Sequence, residues 1–333
     1  MRYSLAVGMA ALLLTTALTP ASAAPAKCRE VDAPVSVLLS TQTVHGRLCV
    51  PAGGSSTVEV LIPGATYNSS YWDYSDGAHS FRAAQNDAGF ATFTLDRLGT
   101  GRSSRPVAAL LTGFVQAEAV HQVVTGLRSG AYGTSFGKVV VGGHSLGSAI
   151  SVLVAGTWPD SVDGVLLTGL THRINPPGVA AAFANFRPAE LDVKFGPLFP
   201  IGYLTTAPGT RYASFHAPGV LTPELRAVEE ATKDVFSPLE AADGLGVSVL
   251  LPYSLFIKAP VFLAVGQNDT AVCGALGTNC STAATVRATE APYFTSGLTT
   301  YVLPSYGHSI NLAPNARDYY AAAATWMTSA VGR

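Results

Sequence analysis

Charge is what this chain has least of. Of its 333 residues, 20 are Lys or Arg and 21 are Asp or Glu, which is 12% of the chain and leaves a formal net charge of −1. No basic patch or charged run occurs, so nucleic acid and anionic membrane surfaces are excluded as partners. Cysteine is scarce as well: Cys28, Cys49, Cys273 and Cys280 are the whole set. They include no C-x-x-C pair, and the only histidine near one of them is His45, so neither zinc nor any other metal is expected. Long apolar runs are missing beyond Leu5–Thr19. That stretch is too short to span a bilayer comfortably. It follows Arg2 and precedes Ala21-Ser22-Ala23, an A-x-A cleavage pattern. Residues 1–23 therefore read as a secretory signal peptide, and the mature protein is expected to be extracellular without stable membrane insertion. An even cysteine count in an exported chain points to disulfides. Three pairings are open; Cys28–Cys49 and Cys273–Cys280 close the shortest loops and are preferred, each worth roughly 2–4 kcal/mol.

What is present is apolar. Residues of the AVILMFWYC set make up 48% of the chain, enough for a large core in about 310 mature residues. "VSVLLSTQTVHGRLCVP" reads as a hairpin, and "STVEVLIPG" as a third strand. "FATFTLDRLGTG", "KVVV", "VDGVLLTGL", "APVFLAVGQND" and "LTTYVLPSYGH" follow as short buried strands. Helical patterns separate them, notably "PVAALLTGFVQAEAVHQVVTGLRSG" and "SAISVLVAG", and "ARDYYAAAATWMTSAVGR" closes the chain. Continuous apolar strands alternating with helices predict an α/β fold with a mostly parallel sheet covered on both faces. Residues 172–254 break the rhythm: they are rich in Pro, Gly and aromatics, and one helix is clear, "TPELRAVEEATKDVFS". A connection this long predicts a cap or lid inserted between core segments 24–171 and 255–333. The acids of that helix, Glu229, Glu230 and Asp234, are expected to be solvated.

The stretch "KVVVGGHSLGSAI" contains Gly143-His144-Ser145-Leu146-Gly147, a G-x-S-x-G pattern. Composition alone yields about 0.2 chance matches in such a chain, so the pattern needs context. It has it: a buried strand before, an apolar helix after. On the sharp turn this implies, side chains at Gly143 and Gly147 would clash, and Ser145 becomes a candidate nucleophile. The Leu146 N–H at the start of the helix becomes one oxyanion donor. The second is expected from the loop after the third strand, Pro63-Gly64-Ala65-Thr66, with Ala65 preferred and Thr66 the alternative. A serine needs a general base, and His308 in "PSYGHSINL" lies just past the last strand. The acid is Asp269 in "VGQND", giving the chain order Ser145, Asp269, His308. His144 reads as a packing residue, His172 and His216 as candidates to line a pocket, and Asp96 as a loop-shaping residue. A bridge between Cys273 and Cys280 would stiffen the loop that carries Asp269.

"PGAT", "DRLGTGRSS", "GGHSLGS", "GQND" and "YGHS" occur in that order across nearly the whole mature chain. Together they resemble a secreted bacterial α/β-hydrolase with a serine nucleophile, of the esterase or lipase type. The resemblance implies an eight-stranded sheet, a cap after the sixth strand, no cofactor, and hydrolysis through an acyl-enzyme. Pro63 departs from the histidine usual in that loop. The serine excludes the aspartate-nucleophile epoxide hydrolases and haloalkane dehalogenases, and the cap sets the chain apart from capless cutinases. The expected reaction is cleavage of a carboxylic ester, or a lactone, of a medium-sized apolar molecule. An aminopeptidase of the same fold and a non-catalytic secreted binding protein are the alternatives.

Overall fold

The computed structural model describes residues 25–74 and 76–333, so the leader read over residues 1–23 lies outside it. The chain opens with a hairpin, β1 (Lys27–Val37) and β2 (Ser40–Val50), in which Cys28 faces Cys49 and is disulfide-bonded to it. The strand signal at Val35 marked only the end of β1. Pro34 lies within it and is tolerated because β1 is the edge strand of the sheet. Leu38 and Leu39 form the turn with φ of 54° and 58°, the left-handed pair a two-residue hairpin needs, without the Asn or Gly that usually announces it.

The rest of the core alternates. β3 (Thr57–Ile62), α1 (Phe81–Asp87), β4 (Ala91–Leu95), α2 (Gly113–Ser129), β5 (Lys138–His144), α3 (Leu146–Thr157) and β6 (Gly164–Thr168) come first. After an insertion come β9 (Val261–Gly266), α7 (Ala283–Glu290), β10 (Leu298–Leu303) and α8 (Ala316–Trp326). The insertion holds α4 (Pro176–Phe183), a small antiparallel pair β7 (Phe186–Pro188) and β8 (Leu204–Thr206), α5 (Pro223–Thr232) and α6 (Pro238–Val249). The main sheet has eight strands in the order β1-β2-β4-β3-β5-β6-β9-β10. All are parallel except where β2 meets its two neighbours. Both faces are covered. Val60 and Val141 join a cluster with residues of α2 and α3, whereas Leu61 and Val140 join another with residues of α1 and α8. Among the described residues no helix is long and apolar enough to cross a membrane.

This topology fixes where a ligand can sit. From β3 the chain winds outward to β4 and then returns to β5 on the other side of β3, so the strand order reverses there. Open α/β sheets bind ligands outside the carboxyl ends of strands at such a point. Ile62 at the end of β3 pairs with Gly143 near the end of β5. The loop 63–66 and Ser145 therefore emerge side by side.

One core residue is out of place chemically. Glu59, in the middle of β3, is fully buried and neither carboxylate oxygen has a hydrogen-bond partner. Burial pushes its carboxyl up to about 8. The folded chain thus holds a proton that the unfolded chain has released, and stability falls as pH rises from the ordinary Glu value through about 8. Relative to the wild type, Glu59→Gln should therefore gain melting temperature as pH rises from about 5 to about 8, with the difference level above that. A gap independent of pH, measured by thermal denaturation, would contradict a protonated Glu59.

Candidate active site

Ser145 joins β5 to α3 with φ 53° and ψ −116°, a conformation costly for a residue with a Cβ. The surroundings hold it there. Its N–H donates to the Thr168 carbonyl of β6 at 2.7 Å. The Ser148 hydroxyl bonds to the carbonyls of Gly143 (2.8 Å) and Thr168 (2.9 Å). A Cβ on Gly143 would lie 2.1 Å from the Gly147 carbonyl oxygen, and one on Gly147 would lie 2.2 Å from that of Ile62. Both glycines are thus required by close backbone approach. α3 begins at Leu146, whose N–H is among the amides that a helix start leaves without an intrahelical acceptor.

His308 follows β10, and its Nδ1 lies 2.7 Å from Oδ2 of Asp269, which follows β9 and is fully buried. The other carboxylate oxygen accepts the Ala271 N–H at 3.0 Å. With Nδ1 engaged, Nε2 is the ring nitrogen left for other chemistry. The Cys273 N–H donates to the Asp269 carbonyl at 2.8 Å, and Cys273 is bridged to Cys280. Ser145 and His308 line one cavity of about 130 Å³, together with Ala65 and Leu146. Its remaining wall comes largely from the insertion, including Phe183, Phe186, Phe236 and Leu245. Among the described residues, no Asp, Glu, Lys or Arg lines it.

The loop 63–66 supplies the adjoining edge. Ala65 lines the cavity, and its N–H donates to no group among the described residues. Thr66 has φ 60°, is fully buried and does not line the cavity. Its carbonyl accepts the Asp234 N–H at 2.8 Å and an Arg211 guanidinium N–H at 3.3 Å, and its hydroxyl accepts from Arg211 at 3.0 Å. Arg97 holds the other end, donating to the carbonyls of Pro63 (3.1 Å) and Gly64 (3.2 Å) while paired with Glu240 of α6.

His144 is fully buried, stacked on Tyr71 at 4.3 Å and hydrogen-bonded to Thr168 and Ser309. Its ring lies 4.8 Å from that of His308. Burial, reinforced by the neighbouring His308, pushes its pKa well below the usual imidazole range, so it adds no positive charge beside that ring. Neither His172 nor His216 lines the cavity. His172 bridges Glu290 (2.7 Å) and Ser254 (2.8 Å), and His216 bridges Glu229 (2.9 Å) and Tyr306 (3.1 Å). Asp96 accepts the Arg102 N–H within its own loop and ties that loop to the segment after β3 through the Ser69 N–H.

The expectation of a solvated acidic helix is corrected. Glu229 is 1% exposed, and its carboxylate gathers Tyr67, Tyr74, His216 and Arg211. Burial alone would raise that carboxyl, but Arg211 and His216 outweigh it and hold it well below the ordinary range. Asp234 lies past the end of α5, is buried, and accepts from Asn68 and the Gly101 N–H. Only Glu230 keeps substantial exposure. An amphipathic pattern read without its neighbours cannot show that Arg211 waits on the inner side. The reading also missed α6, which lines the cavity with Ala241, Gly244, Leu245 and Ser248. A signal was available: Ser237-Pro238-Leu239-Glu240 is a capping box with Pro at the first helical position. Ser237 had been absorbed into the end of the preceding helix. No group of three or more His, Cys, Asp or Glu side chains among the described residues converges as a metal site.

Solved structures share this architecture. A thermophilic esterase from Thermogutta terrifontis superposes with a TM-score of 0.59 at 18% identity, covering 91% of this chain and 99% of that one. The carboxylesterase CesB from Bacillus subtilis gives 0.59 at 15% identity, covering 90% and 92%. An enol-lactonase from Burkholderia xenovorans gives 0.53 at 18% identity, covering 89% and 100%. At these identities the likeness is one of fold. Uncharacterized proteins of Mycobacterium bovis and Mycobacterium tuberculosis are each 30% identical over 141 residues, 41% of this chain and only 37% of the relative's length. The sequence profile of the alpha/beta hydrolase family matches residues 60–322. With that match spanning most of its length, the chain belongs to the α/β-hydrolase family.

Proposed function

We propose that this chain is a serine hydrolase that cleaves a carboxylic ester of a neutral, medium-sized apolar molecule through an acyl-enzyme. The observation that carries the reading is Ser145 on a strained turn in the wall of an uncharged cavity, with His308, anchored to Asp269, in the same wall. Strain of this kind costs about 1–3 kcal/mol and persists where the surroundings over-determine it, commonly at reactive sites. A protein that only bound its ligand would have no use for it.

The roles follow from the atoms. Asp269 accepts from His308 Nδ1–H, so Nε2 presents its lone pair and takes the proton as the Ser145 hydroxyl oxygen attacks the ester carbonyl. The N–H groups of Leu146 and Ala65 receive the developing oxyanion. His308 Nε2–H then protonates the leaving alkoxide, and water repeats the cycle on the acyl-enzyme. Residues 172–254 act as the cap, roofing the acyl site with aromatic and aliphatic side chains. Apolar walls with few polar groups suit an uncharged acyl or alcohol group, and a lactone would open by the same steps. An aminopeptidase would need a carboxylate facing the substrate amine, and among the described residues none lines the cavity. The leader at residues 1–23 and the two disulfides support action outside the cell.

Hydrolysis of p-nitrophenyl esters from acetate to palmitate should show a preference for short or medium chains. Ser145→Ala should lower kcat on the order of 10⁴-fold or more. Asp269→Asn, which keeps the shape but favours the wrong imidazole tautomer, should lower it by about 10⁴-fold. Activity retained in Ser145→Ala would overturn the mechanism. The acyl site can be shortened. A Cβ at Gly244 of α6 would come 3.1 Å from Leu146 and 3.7 Å from Ala149, both cavity residues. Gly244→Leu should cut kcat/KM for the longer esters by about tenfold or more while sparing acetate. An unchanged chain-length profile would place the acyl group elsewhere.

A further inference from the structure

Two buried guanidiniums hold the loop that carries Ala65, and each is held by a glutamate of the cap. Arg97 and Arg211 are both 1% exposed. Arg97 donates Nη2 to the Gly64 carbonyl. That oxygen belongs to the same peptide unit as the Ala65 N–H, and in a trans peptide the two point in opposite directions. Pinning the oxygen therefore aims the N–H. A cation on the oxygen also polarises the unit and strengthens the N–H as a donor. Arg97 is paired with Glu240, which also accepts from Gln116 Nε2 and the Ser237 N–H. On the far side of Ala65, Arg211 holds the carbonyl and hydroxyl of Thr66 in its left-handed turn, and its Nε lies 3.0 Å from Glu229.

We propose that Arg97 and Arg211 are positioning residues for the oxyanion hole, held in place by Glu240 and Glu229 of the cap. The cap is then part of the catalytic apparatus and more than a cover for the substrate. The proposal rests on the assignment of Ala65 and Leu146 as oxyanion donors to an ester attacked by Ser145.

The test compares four proteins with the wild type on one p-nitrophenyl ester: Arg97→Lys, the double variant Arg97→Met with Glu240→Gln, the double variant Arg211→Met with Glu229→Gln, and Ser145→Ala. The double variants remove both charges of a buried pair, which proteins tolerate far better than an orphaned charge. Arg97→Lys keeps the charge against Glu240 with fewer donors for the two carbonyls. Circular dichroism melting reports the fold of each. In the folded arginine variants kcat should fall about 10- to 100-fold, somewhat less than for outright loss of an oxyanion donor, with KM within about threefold. The inhibition constant of an alkyl trifluoromethyl ketone, whose adduct carries an oxyanion, should rise in parallel with the loss in kcat. Unchanged kcat and inhibition constant in a folded Arg97 variant would overturn the proposal, as would a rise in KM alone. If Ser145→Ala keeps activity, the underlying mechanism fails. If Ser145→Ala is inactive and the arginine variants match the wild type, only the positioning role fails.

Discussion

At the junction of β5 and α3 the backbone passes so close to itself that the positions flanking Ser145 have no room for a side chain. Gly143 faces the Gly147 carbonyl, and Gly147 faces that of Ile62. This approach seats the start of α3 against the end of β3 and keeps Ser145 at positive φ. Everything else at the site is arranged around that turn: the loop 63–66 beside it, β6 beneath it through Thr168, and the two later strands that deliver Asp269 and His308. A larger residue at Gly143 would force α3 away from β5, one at Gly147 would force it away from β3, and either would move the serine.

The core was legible because its physics is local. Runs such as Val139–Val141 and Val261–Val265 are buried on both faces and read as strands without reference to partners. The landmarks around Ser145, Asp269 and His308 were legible because each sits where a strand ends, and the structure brings Ser145 and His308 to one cavity. The presence of an insertion was legible, but its inner structure was not, for the converse reason. Glu229 on α5 has the composition of a solvent face, and only the fold places Arg211, Tyr67 and Tyr74 against it. The hairpin was legible from Val35 onward, but the start of β1 was not, because Lys27–Pro34 is largely charged and polar and ends in a proline. The α6 helix was announced by its capping box at Ser237 and could have been read.

The scarcity of charge gives the buried ions their meaning. A chain with 12% charged residues still buries Arg97, Arg211, Glu229 and Glu240, beside the loop 63–66 and the inserted segment. Buried ion pairs are weak sources of stability, because desolvation offsets most of the attraction. What they provide is geometry: a guanidinium with fixed donors can orient several carbonyls at once. Placed on either side of Ala65, such groups trade stability for a defined direction of one N–H. The lining of the cavity among the described residues carries no Asp, Glu, Lys or Arg, so the buried charges lie behind the loop and not in the cavity wall.

The central claim is that Ser145 is an activated nucleophile, and covalent trapping tests it most directly. The protein would be treated with p-nitrophenyl ethyl phosphonate, with release of p-nitrophenol followed in time and the product digested for mass spectrometry. The account predicts one phosphonyl group per chain, on the peptide carrying Ser145, and none on Ser145→Ala. No adduct on a folded protein, or an adduct on another residue that forms equally fast in Ser145→Ala, would contradict it.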